Sequence, residues 1–316
     1  MCTGQSGSKQ YMDLGPQEYP IPAIIISGKY PGKTVLVTAQ IHSGEYPATS
    51  AVSRAAKQLD PSAVHGKVIF LPCVNMSGFR RETDAFVPED GGNLNRDYPG
   101  DGSGTTAEIA RYFIGELFPQ ADFVLDLHSG GIPEKLTPCV FVPYRMEKEL
   151  MPVLQVLDIP HAVRSHNCHG EAGYAANMLG IPSLLLERGY GGLCMQEWID
   201  AYMADILAVL GSLGIVRAPD RTVCKKTYYT EAVYPEAQEE GLWFPCICED
   251  TYIRKGETIG HTEDIYGNLL RTYTAEADGL VLYYRTALHV SKGTPIAAYA
   301  LLSSAFSMTD HERLRK

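Results

Sequence analysis

A histidine and a glutamate stand three positions apart in residues 34–46, TVLVTAQIHSGEY. Residues 34–41 form an apolar, β-branched run of strand length. The run stops at His42, Ser43 and Gly44 mark a turn, and Glu45 precedes Pro47 and a helical pattern over residues 48–59. The pair therefore belongs to a loop that leaves a buried strand and enters a helix. In open α/β sheets, sites form in the crevice outside the carboxyl ends of the strands. Imidazole nitrogen and carboxylate oxygen are both zinc donors, although this spacing alone is weak evidence.

Two further stretches repeat the construction. Residues 122–127, DFVLDL, run into His128 and then Ser129-Gly130-Gly131. Residues 183–186 run into Glu187 and then Arg188-Gly189-Tyr190. If the three strands are parallel, His42, Glu45, His128 and Glu187 reach one edge of the sheet. Two His and a Glu with an open fourth position are the usual ligands of a hydrolytic zinc site. A further Glu off the metal can take a proton from water and pass it to the leaving group. Taken singly, each residue reads better as a satisfied core histidine or a solvated carboxylate. The four together at strand ends favour the metal.

Other candidates surround these. Asn93-Leu94-Asn95-Arg96 lies in a long Gly/Pro-rich stretch over residues 73–104. An Arg fork beside an amide suits a carboxylate, and a surface turn fits as well. Asp126 shares a strand face with His128. It either orients that ring from behind or is a partly buried acid. His166, His169 and Glu171 form a rival cluster, but they precede a helix and read as a loop near the site. Cys246-x-Cys248 lacks the second Cys pair of a zinc ribbon and reads as structural.

The elements that must position these residues alternate from residue 23 to 213. Strands are expected at 23–27 and 35–41, as neighbours joined by a turn at Pro31-Gly32, and at 67–71, 123–127 and 183–186. Helices are expected from residue 48, from a Thr105 or Thr106 cap to 117, and at 147–157, 171–179 and 195–213. This alternation predicts an α/β fold with a mixed, largely parallel sheet and flanking helices. Beyond about residue 218 the pattern becomes short runs between turn signals, with helix only in the final residues. Lys255-Gly256-Glu257 and Lys292-Gly293-Thr294 read as paired hairpin turns. The expected division is residues 1–218, carrying the chemistry, and residues 219–316, a small β-rich C-terminal domain.

The totals narrow the function classes. The 316 residues are 45% hydrophobic and 20% charged, ordinary for a globular protein. A net charge of −10 without a basic tract argues against nucleic acid and anionic membranes. No apolar run reaches the ~20 residues of a membrane helix. The start lacks a signal-peptide pattern, so a cytoplasmic location with reduced thiols is expected for the eight scattered cysteines. Oligomeric state stays open, a homo-oligomer included.

The ordered set His42-Ser-Gly-Glu45, Asn93-Leu-Asn-Arg96-Asp-Tyr-Pro-Gly, Asp126-Leu-His128, and Gly180-Ile-Pro followed by Glu187 resembles the succinylglutamate desuccinylase/aspartoacylase family. The resemblance spans most of residues 20–215, and the β-rich end resembles the family's appended domain. It implies a zinc carboxypeptidase-like fold, with Zn2+ held by His42, Glu45 and His128 and Glu187 as general base. It implies that Asn95 and Arg96 hold a substrate carboxylate, with Asn93 beside a ligand His. Close deacylases carry an Arg about ten residues before the Asn-Arg pair. Residues 84–90 here contain none, which leaves Arg80 and Arg81 as candidates for that substrate-binding role. The function implied is hydrolysis of the amide of a small, carboxylate-bearing N-acylated amino acid. A metallocarboxypeptidase for short peptides is the alternative, and a non-catalytic binding module the third.

Overall fold

The computed structural model describes residues 7–220 and 222–302. Its backbone is a 13-stranded sheet with helices on both faces, followed by a second, four-stranded sheet. The centre of the large sheet runs His65–Leu71, Tyr30–Ala39, Phe123–His128, Ser183–Glu187, all parallel. Cys139–Pro143 then pairs antiparallel to Ser183–Glu187 and parallel to His161–Ser165.

These central strands read as unbroken apolar runs because both faces of the sheet are covered. Val35, Val37 and Ala39 join the core beneath the helices Tyr46–Gln58 and Gln196–Ser212, while Leu36 joins the opposite core with Phe113 and Phe118. Helix Tyr46–Gln58 begins with Pro near its first position, where no N–H is needed. It buries Ala51, Val52, Ala55 and Ala56 at helical spacing.

Several expectations need correction. Ile21–Ser27 does not neighbour Tyr30–Ala39, because His65–Leu71 lies between them, antiparallel to the first and parallel to the second. Pro31-Gly32 lies inside the longer strand, not in a turn. Neither Thr105 nor Thr106 caps the helix Thr105–Tyr112; Asp90 does so from the preceding loop, accepting from Thr106 N at 2.7 Å and Thr106 Oγ1 at 2.6 Å. The 73–104 stretch contains a short helix, Met76–Arg81, capped by the Asn75 side chain.

Beyond residue 218 the described elements are all strands. They divide between the two sheets. Thr227–Val233 pairs parallel with His161–Ser165, and Ala297–Leu302, Gly279–Arg285 and Tyr252–Ile253 continue the large sheet outward. Backbone pairing thus crosses the expected boundary at residue 218. The two Lys-Gly turns do not close hairpins. Gly256 and Gly293, both at positive φ, turn the chain from the large sheet into the small one and back again. The expected terminal helix lies outside the described residues. Among those residues, no helix is long and apolar enough to cross a membrane.

Candidate metal centre and substrate cavity

The three parallel strand ends do converge. His42 follows Tyr30–Ala39, His128 ends its strand, and Glu187 is the register partner of His128 on the next strand. Glu45, buried at the start of helix Tyr46–Gln58, turns its carboxylate between the two rings. Its Oε1 lies 2.7 Å from His42 Nδ1 and its Oε2 3.1 Å from His128 Nδ1. The rings stand edge to face with centroids 5.0 Å apart.

Each ring is held from behind through its other nitrogen. His42 Nε2 meets Asn93 Oδ1 at 3.0 Å. His128 Nε2 lies 3.0 Å from Asp126 Oδ1, close enough for an ion pair although not aligned as a hydrogen bond. Both Nδ1 atoms are thereby directed to one point, as carboxylate- or amide-backed metal ligands are. Tyr202 adds support from below, donating to the backbone carbonyls of His128 and Leu186.

Electrostatics match a cation site. Burial raises the Glu45 carboxyl, but the facing imidazoles of His128 and His42 outweigh it and bring it down to about 2. Burial lowers His128, while Asp126 and Glu45 more than reverse this and hold it well above its usual value. Burial pushes Glu187 well above the carboxylate range, with His128 opposing. Glu187 Oε2 is buried and, among the described residues, without a hydrogen-bond partner. Among the described residues, His42, Glu45 and His128 are the one His/Cys/Asp/Glu group whose donor atoms all lie within 4.8 Å of one another. The donor set and that closeness fit zinc.

The rival cluster does not assemble. His169 Nδ1 faces the Tyr98 carbonyl at 3.0 Å, and His166 lies tilted against Tyr144 with ring centroids 4.6 Å apart. Glu171 turns inward, where Oε1 accepts from Thr38 Oγ1 at 2.7 Å. Cys246 and Cys248 are exposed and unpaired.

The cluster opens into a cavity of about 590 Å³. Asn93, Asn95 and Arg96 line it. Asn93 Oδ1 accepts from Asn95 N at 2.9 Å, so one amide oxygen links the loop to His42. Asn95 is buried with Oδ1 on Glu171 N at 3.1 Å, and Arg96 is exposed, with Nη1 donating to the Asn95 carbonyl at 2.8 Å. Arg80 and Arg81 are not brought to the cavity. Both are exposed on helix Met76–Arg81, and Arg81 pairs with Glu89 at 3.3 Å. The cavity arginine that sequence reasoning missed is Arg285. It arrives with Tyr234, Glu236 and Tyr283 from beyond residue 218, and Glu134 faces it from the strand Glu134–Leu136. No local spacing marks these residues, because strand pairing across about 150 residues brings them together.

Residues 31–213, well over half of the chain, match the sequence profile of the succinylglutamate desuccinylase/aspartoacylase catalytic domain. The chain belongs to the succinylglutamate desuccinylase/aspartoacylase family. A relative from Halomonas elongata, an N-alpha-acetyl-L-2,4-diaminobutyric acid deacetylase, is 28% identical over 298 residues, covering 89% of this chain and 85% of that one. The fold is that of a succinylglutamate desuccinylase/aspartoacylase from Rhodobacter sphaeroides: TM-score 0.80, 25% identity, 94% of this chain and 96% of that one. It is also that of the ectoine utilization protein EutE of Ruegeria pomeroyi, solved with product bound: TM-score 0.80, 23% identity, 93% and 95% covered. The expected fold class and family are therefore borne out.

Proposed function

We propose that this family member is a zinc-dependent deacylase that hydrolyses the amide of a small N-acylated amino acid. The observation that carries the reading is the convergence of His42 Nδ1 and His128 Nδ1 on the Glu45 carboxylate, with Glu187 in register beside His128. Relatives named as a diaminobutyric acid deacetylase and a desuccinylase/aspartoacylase support the reaction class.

In this reading His42, Glu45 and His128 hold zinc. Bound there, zinc supplies a charge that polarises the amide carbonyl and lowers the pKa of an attacking water toward ~7. Glu187 takes the water's proton on its unpartnered Oε2 and returns it to the departing amine. Asn95 and Arg96 hold a substrate carboxylate and fix the amide against the cluster. Asn93 and Asp126 keep the two rings aimed. Arg285 takes the place expected of Arg80 and Arg81 as the further cationic group in the cavity.

Tyr234, Tyr283 and Pro295 line the cavity; in this reading they narrow its approach, which favours a small acylated amino acid over a peptide chain. Catalytic efficiency on a series from acetyl-amino acid to dipeptide to pentapeptide tests this. Steep loss beyond the dipeptide is expected, and rising kcat/KM with length would make the chain a peptidase.

A further inference from the structure

Arg285 ends the strand Gly279–Arg285, and its main chain is pinned on both sides. Its N donates to the Ile296 carbonyl at 2.9 Å, and its carbonyl accepts from Trp243 Nε1 at 3.0 Å. Its antiparallel register partner is Glu134, and Thr286 N donates to the Pro133 carbonyl at 2.7 Å. Glu134 Oε2 accepts from Gly131 N at 3.0 Å, three positions beyond His128. Residues opposed across antiparallel strands stand ~5 Å apart. Arg285 is therefore seated beside the turn that leaves His128, on a backbone held by bonds that do not involve its side chain.

The guanidinium itself is not satisfied. It lines the cavity, and its buried Nε has no hydrogen-bond partner among the described residues. Glu134 is a poor counter-ion for it. Burial, with the carboxylates of Glu45 and Asp84 adding to it, pushes the Glu134 carboxyl up, and Oε2 is already engaged with Gly131 N. A buried donor left unpaired is costly, and such groups mark places where a ligand or a reaction completes the bond.

Among the described residues, Arg96 and Arg285 are the arginine or lysine side chains that line the cavity. The stretch 84–90 brings Asp84 and Ala85 there, neither of them cationic. Arg96 shares a loop with Asn95, and its Nη1 donates to the Asn95 carbonyl at 2.8 Å. In the deacylase reading it takes the substrate carboxylate, a charge present before and after the reaction. Amide hydrolysis creates a second negative charge, on the carbonyl oxygen, and only while the reaction passes. A cation with no firm protein counter-ion, on a fixed backbone, is suited to that transient charge.

We propose that Arg285 is a catalytic residue that stabilises the negative charge developing on the amide oxygen, while Arg96 reads the carboxylate. This rests on the deacylase reading above. Water, having given a proton to Glu187, adds to the amide carbon, and the carbonyl π pair moves onto the oxygen, which accepts from the Arg285 guanidinium. The pair returns as the C–N bond breaks, and the amine leaves with the proton from Glu187. The strands beyond residue 218 then contribute to the chemistry as well as to the cavity wall.

The experiment uses wild type, Arg285→Lys and Arg285→Ala, loaded with zinc, on N-acetyl-alanine, N-acetyl-aspartate and N-acetyl-lysine. Each substrate is matched with its free amino-acid product and with its phosphinate analogue, whose tetrahedral P–O⁻ stands in place of the amide carbonyl. Arg285→Ala should lose ~10²–10³-fold in kcat, the size of one lost donor to a developing oxyanion. KM and product Kd should stay within about threefold of wild type, as for an interaction made only in the transition state. Calorimetry should show the phosphinate Kd weakened in step with kcat/KM. Arg285→Lys should fall between, and added guanidinium ion should return part of the rate to Arg285→Ala and none to wild type. Raised KM and weaker product binding at unchanged kcat would make Arg285 a second carboxylate reader and overturn the proposal. A merely structural role would lower the unfolding temperature and weaken phosphinate and product alike, without rescue by guanidinium, and would overturn it too. If wild type hydrolyses none of the three substrates, the deacylase reading fails. The calorimetry still decides for Arg285: equal phosphinate binding by wild type and Arg285→Ala, or none by either, overturns the proposal.

Discussion

Replacing Glu187 by Gln keeps shape and volume and removes the ability to accept a proton. The carboxylate stands at the end of Ser183–Glu187, level with His128, and its Oε2 is buried without a partner. Among the described residues no hydrogen bond depends on that oxygen, so the substitution isolates the proton transfer. A positioned general base is worth ~10²–10⁴-fold in rate, or ~2.7–5.5 kcal/mol of barrier. Because one group serves both the attack and the amine departure, the upper half of that range is expected in kcat. Substrate KM and metal content should hold. An uncharged amide of the same shape, replacing an oxygen with no hydrogen-bond partner among the described residues, should change unfolding free energy by less than ~1 kcal/mol. The assay pairs steady-state hydrolysis of an N-acyl amino acid with thermal unfolding and metal analysis on the same preparation. Activity within about threefold of wild type, far inside that range, would remove Glu187 from the mechanism.

Two further expectations concern recognition and stability. Arg96→Lys should raise KM strongly for substrates with a free carboxylate, because a point charge replaces a planar fork; methyl-ester substrates should bind poorly to wild type and be nearly indifferent to the change, and equal responses would show that Arg96 reads no carboxylate. Asp90→Ala removes the cap of Thr105–Tyr112 and should cost ~1–2 kcal/mol in denaturant unfolding. Burial raises the Asp90 carboxyl, but its bonds to Thr106 and Gly92 outweigh that and hold it below its usual range. The cap therefore contributes fully above the unfolded pKa of ~3.9 and fades as pH falls through the lower folded value. An Asp90→Ala deficit that grows at low pH would contradict this.

The strand ends were legible because three of the four central parallel strands are apolar on both faces and run into a His or Glu. That pattern survives in one dimension. Its parallel pairing placed His42, His128 and Glu187 side by side without any contact having to be read from sequence. The strands Cys139–Pro143 and His161–Ser165 were not legible: each has five residues, and the second contains His and Arg. The cap on Thr105–Tyr112 was misassigned because its acceptor sits sixteen positions from Thr106, where helix-start rules do not look. Arg285 and Glu134 were missed for the same reason on a larger scale. Their meeting is a fact of strand register, and nothing near either residue announces it. Arg80 and Arg81 drew attention by chain position, yet their short helix turns them to solvent.

Metal content is the most direct test of the central claim. Wild type loaded with zinc and freed of excess should carry about one ion per chain, as a single two-His, one-Glu site holds. His128→Ala removes one of the two Nδ1 donors that face Glu45 and should lose most of it. His169→Ala, whose ring is engaged with the Tyr98 carbonyl, should keep it. Full zinc in His128→Ala, with loss in His169→Ala, would contradict the account.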